Sequence, residues 1–265
     1  MGAFVGAAFV AGQLDALRRR AESVTWREIV AMLDIRLARG RLIGGELIVA
    51  FMRKLGIDGA IEAYPKAFAA VATDLVTGRE IWLRSGPIVD AVRSSISLPG
   101  ILSPARMGDQ WLVDGGLTNP VPVSVCRALG AEVVIAVNFN GDLLARRFSA
   151  ENIPQAIAPR SVPGELAARM SKQFPAGLRD NAARFAGKLM PRGPTLPGYF
   201  DELMNSVNIM QDHITRARLA GEPPHVMLVP RLGQISVMEF NRAKEAIAEG
   251  RSCVEQALPT LKRHI

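Results

Sequence analysis

Apolar positions recur at two different spacings along the chain, and the spacing changes from one segment to the next. Residues 14–39 and 46–55 carry apolar side chains every three or four positions, which predicts helices. Short apolar runs at 67–73 and 80–83 flank the stretch 74–78, which is rich in turn residues, and this pattern predicts a hairpin of two strands. Helical and extended segments together predict an α/β protein.

The remaining segments follow the same rules. Residues 1–12 form an apolar run rich in glycine and alanine, and we expect a buried helix that packs closely against a sheet. Further helices are predicted at 87–97, 121–129, 201–220 and 237–258, and further strands at 111–113, 133–137 and 225–229. Because strand, helix and strand follow one another from 111 to 137, we expect a parallel crossover. The second of these strands is continuously apolar, which predicts that both of its faces are covered.

A carboxylate, Asp114, ends the apolar run 111–113. Gly115 and Gly116 follow it, and glycine permits sharp backbone turns and close approach by a neighbouring group. Open α/β sheets hold their chemistry at the carboxyl ends of strands, next to helix starts, so Asp114 is the first candidate for a functional residue. An ordinary Asp-Gly turn remains the alternative.

The helix after Asp114 has clear start and stop signals. Asn119 is a good N-cap residue, Pro120 a good first helical residue, and Gly130 a good residue for closing the helix. The pattern therefore predicts that the helix begins directly after the two glycines.

Other polar residues are expected to have structural roles. Asp74 precedes a turn and is expected to accept hydrogen bonds from nearby backbone N–H groups. The serines at 94, 95 and 97 lack the flanking glycines of a nucleophile elbow. The histidines share no motif or common face, so a Ser-His-Asp triad has no obvious histidine; they are His213, His225 and His264.

Composition limits the class of protein. A chain of 265 residues with 49% hydrophobic content can bury the core of one α/β domain, which we place at 1–265 with a variable insertion at 145–197. The two cysteines, Cys126 and Cys253, have no metal-binding spacing, which favours a reducing compartment such as the cytoplasm. No motif implies a metal or another cofactor, or binding to nucleic acid.

Most of the net charge of +7 lies in the proline-rich segment 145–197, which holds nine basic and three acidic residues. Its apolar residues fall on helical faces. Two interpretations stay open: a solvated insertion that packs on its own domain, and a basic amphipathic lid in peripheral contact with the inner membrane surface.

Several blocks of the sequence resemble one known family. They are Val71-Ala-Thr-Asp-Leu-Val-Thr-Gly78, Ala91-Val-Arg-Ser-Ser-Ile-Ser-Leu-Pro-Gly100, Leu112-Val-Asp-Gly-Gly116 with Asn119-Pro120, Met210-Gln-Asp-His-Ile-Thr-Arg-Ala-Arg218 and Phe240-Asn-Arg-Ala243. In this order and spacing they resemble the bacterial patatin-like phospholipases, over nearly the whole chain except the insertion.

The resemblance implies a three-layer α/β/α sandwich and a serine hydrolase that cleaves lipid acyl esters with a Ser-Asp dyad. Asp114 matches the dyad aspartate, and Gly115 and Gly116 form its supporting turn. In such a dyad the carboxylate accepts the serine proton directly, so no catalytic histidine is needed. A lipid ester is the implied substrate, and no cofactor is implied.

The nucleophile of the family lies in a Gly-x-Ser-x-Gly elbow. Met1 and Gly2 match the last two elbow positions, so the resemblance implies a serine one residue before Met1. The nearest substitute within the chain, Ser252, lacks the second glycine. Three hypotheses stay open: a hydrolase whose start has been placed too late, a nucleophile-less relative that binds lipid or protein, and a gene remnant. As given, the chain is expected to be inactive.

Overall fold

The computed structural model describes residues 1–25, 45–142, 199–235 and 239–264, with the side chains of 199–202 left out. The chain divides into two compact units, residues 1–144 with 207–265, and residues 145–206. The predicted insertion 145–197 lies entirely outside the described residues, as does the helical pattern at 26–39. The assignment of 1–265 to one domain stays a prediction.

The described part of the chain alternates helices and short strands, which confirms the α/β class. The helices are α1 (Gly2–Val10), α2 (Leu14–Ser23), α3 (Glu46–Lys54), α4 (Ile88–Ser95), α5 (Val123–Ala128), α6 (Tyr199–Gly221) and α7 (Ala243–Leu261). The strands are β1 (Ala70–Asp74), β2 (Glu80–Leu83), β3 (Ala105–Met107), β4 (Gln110–Asp114), β5 (Ile135–Val137) and β6 (Val226–Leu228). Short 3₁₀ turns lie at Ile61–Ala63, Gly115–Leu117 and Phe240–Arg242. Among these residues, no helix is long and apolar enough to cross a membrane.

A four-stranded antiparallel sheet in the order β2-β1-β4-β3 positions Asp114. The predicted hairpin of β1 and β2 is confirmed. All five residues of β1 are buried, because the strand lies inside the sheet with helices packed against it. In the register between β1 and β4, Asp114 faces Ala72, so the carboxylate lies beside the centre of the sheet.

Helix α1 packs on this sheet as its small residues predict. Ala7 and Ala8 are fully buried. A Cβ added to Gly6 would lie 3.3 Å from the ring of Phe68, so glycine is what allows this close approach. Helix α4 completes the core, with Ile88, Val89 and Val92 fully buried.

The predicted crossover between β4 and β5 is wrong. Strand β4 already has β1 on one side and β3 on the other, so neither edge of β4 is left for β5. Strand β5 pairs instead with β6, in a separate two-stranded parallel sheet.

The prediction that β5 is covered on both faces is also wrong. Val134 and Ala136 are buried, whereas Ile135 and Val137 on the opposite face are exposed. A continuous apolar run does not distinguish a strand with two covered faces from one with a single covered face.

The start of helix α5 differs from the prediction as well. The helix begins at Val123, not after Asn119 and Pro120, because the chain first makes the 3₁₀ turn Gly115–Leu117. The Asn119 side chain does not cap the helix. The stop signal is confirmed, since Gly130 follows the helix with a positive φ of 88°.

Candidate active site

The carboxylate of Asp114 is the centre of the candidate site. Its Oδ1 accepts a hydrogen bond from the Gly116 N–H at 2.6 Å. Its backbone is held on both sides, because its N–H donates to Ser97 O at 3.0 Å and its carbonyl oxygen accepts from Thr73 Oγ1 at 2.9 Å. The direction of the carboxylate is thus determined by two neighbouring elements.

The two glycines after Asp114 lie where an added Cβ atom would come too close to neighbouring atoms. A Cβ on Gly115 would lie 2.1 Å from the Val71 carbonyl oxygen, so β1 passes directly against this residue. A Cβ on Gly116 would lie 2.5 Å from Gln211 Nε2 and 2.8 Å from Asp114 Oδ1. Gly115 is therefore required by backbone that cannot move aside, whereas a side chain at position 116 would displace the ends of the Gln211 and Asp114 side chains.

The start of helix α1 lies next to the same carboxylate. The Met1 amine interacts electrostatically with Asp114, although the Met1 side chain itself points largely into solvent. Burial lowers the pKa of the Met1 amine, and the Asp114 charge opposes this effect. The nitrogen of Met1, the residue that precedes α1, is therefore within electrostatic range of Asp114.

The surroundings of Asp114 disfavour its charged form. Burial raises the pKa of the Asp114 carboxyl above its usual value, and the Met1 amine and the Gly116 N–H act in the opposite direction. A carboxylate with a raised pKa is a better proton acceptor than a solvated one, which is what a general base requires.

Gln211, on α6, is a site residue that had no predicted role. Its Nε2 lies against the Gly116 backbone, and its Oε1 accepts a hydrogen bond from Asn140 Nδ2 at 2.9 Å. The hydrogen bond from Asn140 thus orients the Gln211 amide that lies beside Gly116. Its only sequence signal was the block at 210–218, whose spacing gives no hint of a contact with residue 116.

Other candidates have the structural roles expected of them. Asp74 Oδ1 accepts hydrogen bonds from the N–H groups of Val76 at 2.9 Å and Thr77 at 2.8 Å. Ser94 Oγ donates to Asp90 O, and Ser97 Oγ donates to Arg93 O, both at 2.8 Å within the α4 region.

The histidines are not brought together with Asp114. His225 Nδ1 accepts a hydrogen bond from the Val134 N–H at 3.0 Å, and the rings of His225 and His264 lie edge to face. Gly2 is exposed, and an added Cβ would contact nothing within 4 Å. Its place in a nucleophile elbow stays a prediction.

The sequence blocks that are far apart in the chain meet at this site. Thr73, Ser97 and Gln211 belong to three different blocks, and each contacts Asp114 or the glycine turn that follows it. This convergence explains why those blocks occur together in one protein.

Comparison with known proteins identifies the family of the chain. Residues 1–127 match the family model described as patatin-like phospholipase. An uncharacterized NTE family protein of Mycobacterium tuberculosis is 31% identical over 300 residues, which cover 97% of this chain and 81% of that protein. Patatin-like phospholipase domain-containing protein 7 of Rattus norvegicus is 28% identical over 145 residues, which cover 52% of this chain and 11% of that protein. On these matches the chain belongs to the bacterial patatin-like phospholipase family.

Proposed function

We propose that this protein hydrolyses acyl esters of lipids through a Ser-Asp dyad in which Asp114 is the general base. Membership of the patatin-like phospholipase family supports a lipid hydrolase-type function. The observation that carries the finer proposal is the Asp114 carboxylate at the end of β4, which accepts from the Gly116 N–H at 2.6 Å and interacts electrostatically with the start of α1.

The nucleophile of this proposal is a serine joined to the amino side of Met1. A residue at that point would be bonded to the nitrogen that interacts electrostatically with Asp114, and the proposal requires its side chain to reach the carboxylate. The raised pKa of Asp114 favours acceptance of the hydroxyl proton as the serine oxygen attacks the ester carbonyl.

The start of α1 suits the negative charge that forms during this attack. The first N–H groups of a helix have no partners within the helix, and they carry partial positive charge. In a nucleophile elbow, the N–H of the residue after the nucleophile also stabilises the oxyanion, and that residue here is Met1. When the tetrahedral intermediate collapses, Asp114 returns the proton to the leaving alcohol and the acyl group stays on the serine. A water molecule then attacks the acyl-serine while Asp114 takes its proton and passes it to the serine oxygen, which releases the carboxylic acid and restores the dyad.

The test compares chain 1–265 with the same chain preceded by the segment that its reading frame encodes before Met1. We expect only the extended protein to hydrolyse p-nitrophenyl butyrate and to be labelled by a fluorophosphonate. Asp114→Asn in the extended protein should lower kcat by roughly 10²- to 10⁴-fold, as expected for loss of a general base.

The matched control is Asp109→Asn, which removes an exposed carboxylate in the turn before β4 and should leave kcat unchanged. Activity that survives Asp114→Asn would show that the dyad is assigned incorrectly. If the extended protein gives neither turnover nor label, the alternative gains support: a nucleophile-less relative that binds lipid or a protein partner.

A further inference from the structure

One end of the four-stranded sheet carries two neighbouring turns. Residues 75–79 connect β1 to β2, and residues 108–109 connect β3 to β4. The Leu75 N–H donates to the Trp111 carbonyl oxygen at 2.8 Å, so the first turn lies against the start of β4. The two turns therefore form one continuous surface.

This surface has large apolar side chains in solvent. Val76 is 82% exposed, Leu75 53% and Trp111 45%. Turn positions favour glycine, proline, asparagine, aspartate and serine, so a Leu-Val pair at a turn is unusual. The fold does not need these two side chains for packing, which indicates that they serve contact with something outside the chain.

The turn is rigid without help from its apolar residues. Asp74 Oδ1 accepts from two turn N–H groups, and Asp74 Oδ2 accepts from Gln110 Nε2 at 3.1 Å. The hydrogen bond from the Thr77 N–H, with those from Val76 and Gln110, lowers the pKa of the Asp74 carboxyl below its usual value, so one negative charge lies beneath the tip. Since the tip is already ordered, little conformational entropy would be lost when it contacts a partner.

Basic side chains border the apolar tip. Arg79 is exposed at the start of β2. The Arg106 guanidinium lies 5.9 Å from the centre of the Trp111 ring, with most of its side chain in solvent. Asp109 is the exposed acid of the second turn, and it lies 4.0 Å from Arg106.

These three kinds of side chain, namely aliphatic residues, a tryptophan and arginines, are the kinds that contact successive depths of a membrane surface. Leucine and valine enter the acyl boundary, tryptophan prefers the head-group level, and arginine pairs with lipid phosphate. We propose that the sheet-end patch, defined as Leu75, Val76, Arg79, Arg106 and Trp111, is a docking surface for an anionic lipid bilayer. The patch begins three residues before Asp114 on β4, or about 10 Å along the strand.

The test measures binding without turnover, so it can fail independently of the proposed hydrolysis. Chain 1–265 is sedimented with vesicles of ether-linked phosphatidylglycerol and phosphatidylcholine in equal parts, and with ether-linked phosphatidylcholine alone. Ether lipids contain no ester to hydrolyse. We expect binding to the anionic vesicles, and we expect the double variant Leu75→Ser with Val76→Ser to weaken it by about tenfold to a hundredfold.

A matched control replaces the same residue types elsewhere. Leu258→Ser with Val254→Ser changes two exposed apolar residues on α7 and should leave vesicle binding unchanged. Tryptophan fluorescence adds a site-specific readout: brominated lipid in the vesicles should quench emission of the wild-type chain, and Trp111→Phe should abolish most of this quenching.

Three results would overturn the proposal. They are no binding to anionic vesicles, equal weakening by the two double variants, and quenching that persists in Trp111→Phe. Binding that survives Leu75→Ser with Val76→Ser would assign the membrane contact to another surface, such as the basic segment 145–197.

Discussion

At the residue scale, burial disfavours the charged form of the Asp114 carboxyl, whereas the hydrogen bond from the Gly116 N–H favours it. Asp114 is a partly buried carboxylate whose pKa is raised by burial, and it accepts a hydrogen bond from the Gly116 N–H. A charge in such a place costs folding free energy, since the unfolded chain would solvate it fully. Functional sites commonly retain costs of this kind because the chemistry requires them.

Asp114→Asn is therefore expected to stabilise the protein at neutral pH. The folded-state pKa of Asp114 is raised, so the carboxyl contributes no penalty below its unfolded pKa of about 3.9, and it destabilises the fold increasingly as pH rises through the folded pKa. The Tm of the variant should exceed that of the wild type by a few degrees at pH 7 and converge with it near pH 4.

Thermal unfolding monitored by circular dichroism between pH 4 and pH 8 checks this expectation. Asp109→Asn should show no comparable change with pH, because the Asp109 side chain is fully exposed. A Tm difference for Asp114→Asn that shrinks as pH rises would mean that the ionised carboxylate stabilises the fold.

Gly115 gives a second prediction at this scale. Gly115→Ala would place a Cβ 2.1 Å from the Val71 carbonyl oxygen, and backbone on a central strand cannot move aside cheaply. We expect a loss of roughly 3 kcal/mol or more in the free energy of unfolding.

Urea denaturation checks that loss against Gly250→Ala. Gly250 lies in α7 with open space around it, so alanine there should stabilise the helix by up to about 1 kcal/mol. A Gly115→Ala variant as stable as the wild type would show that β1 is not packed against the glycine turn.

At the scale of elements, Glu80 on β2 ties the sheet to two other parts of the unit. Its carboxylate accepts from Trp82 Nε1 at 2.6 Å, from Asn119 Nδ2 at 2.8 Å and from an Arg218 guanidinium nitrogen at 2.6 Å. Asn119 follows the glycine turn and Arg218 lies on α6. The sheet, the chain leaving the site and the long helix are thus joined through one side chain.

Removing this carboxylate should loosen all three elements. Glu80→Ala leaves the buried Asn119 amide without its partner on β2, and we expect a loss of about 2–3 kcal/mol in the free energy of unfolding. Glu80→Gln keeps an acceptor oxygen and should cost less.

Chemical denaturation of both variants, with the exposed Glu255→Ala on α7 as control, measures these differences. Equal stability of Glu80→Ala and Glu255→Ala would show that the network contributes nothing beyond a surface charge.

At the scale of the whole molecule, the described residues form two sheets with different surroundings. The four-stranded sheet has its central strands covered and holds Asp114, whereas β5 exposes Ile135 and Val137 on one face. The hydrolysis test and the vesicle test act on different parts of this molecule, because Asp114 lies beside the sheet centre and the sheet-end patch lies at its rim. Their outcomes can therefore be interpreted separately.

Local signals were sufficient for much of this structure. Hydrophobic patterns located α3, α4, α6 and the hairpin of β1 and β2, and a run of small apolar residues located α1. The Asp74 turn was also predictable, since an aspartate can bond to the N–H groups two and three residues ahead without any tertiary partner.

Predictions from local sequence patterns were wrong where contacts with residues distant in sequence determined the structure. Asn119 is a good N-cap residue by itself, yet its amide binds Glu80, which is 39 residues away, and the helix starts later. The strand run at 133–137 was found, but whether one or both faces are covered depends on which elements pack there. Pairing of β5 with β6 joins segments about 90 residues apart, and short-range patterns carry no information about it.

The sequence by itself predicted most of the elements, although not β3, and it singled out the candidate site: an aspartate followed by two glycines at the end of an apolar strand. Only the tertiary structure decided what surrounds that aspartate. Thr73, Ser97, Gln211 and the start of α1 converge on it because β1, the end of α4, α6 and α1 all pack at one place in the fold. The physical reason is that spacing along a chain reports backbone conformation over a few residues, whereas burial, charge interactions and close contacts arise from residues that are distant in sequence.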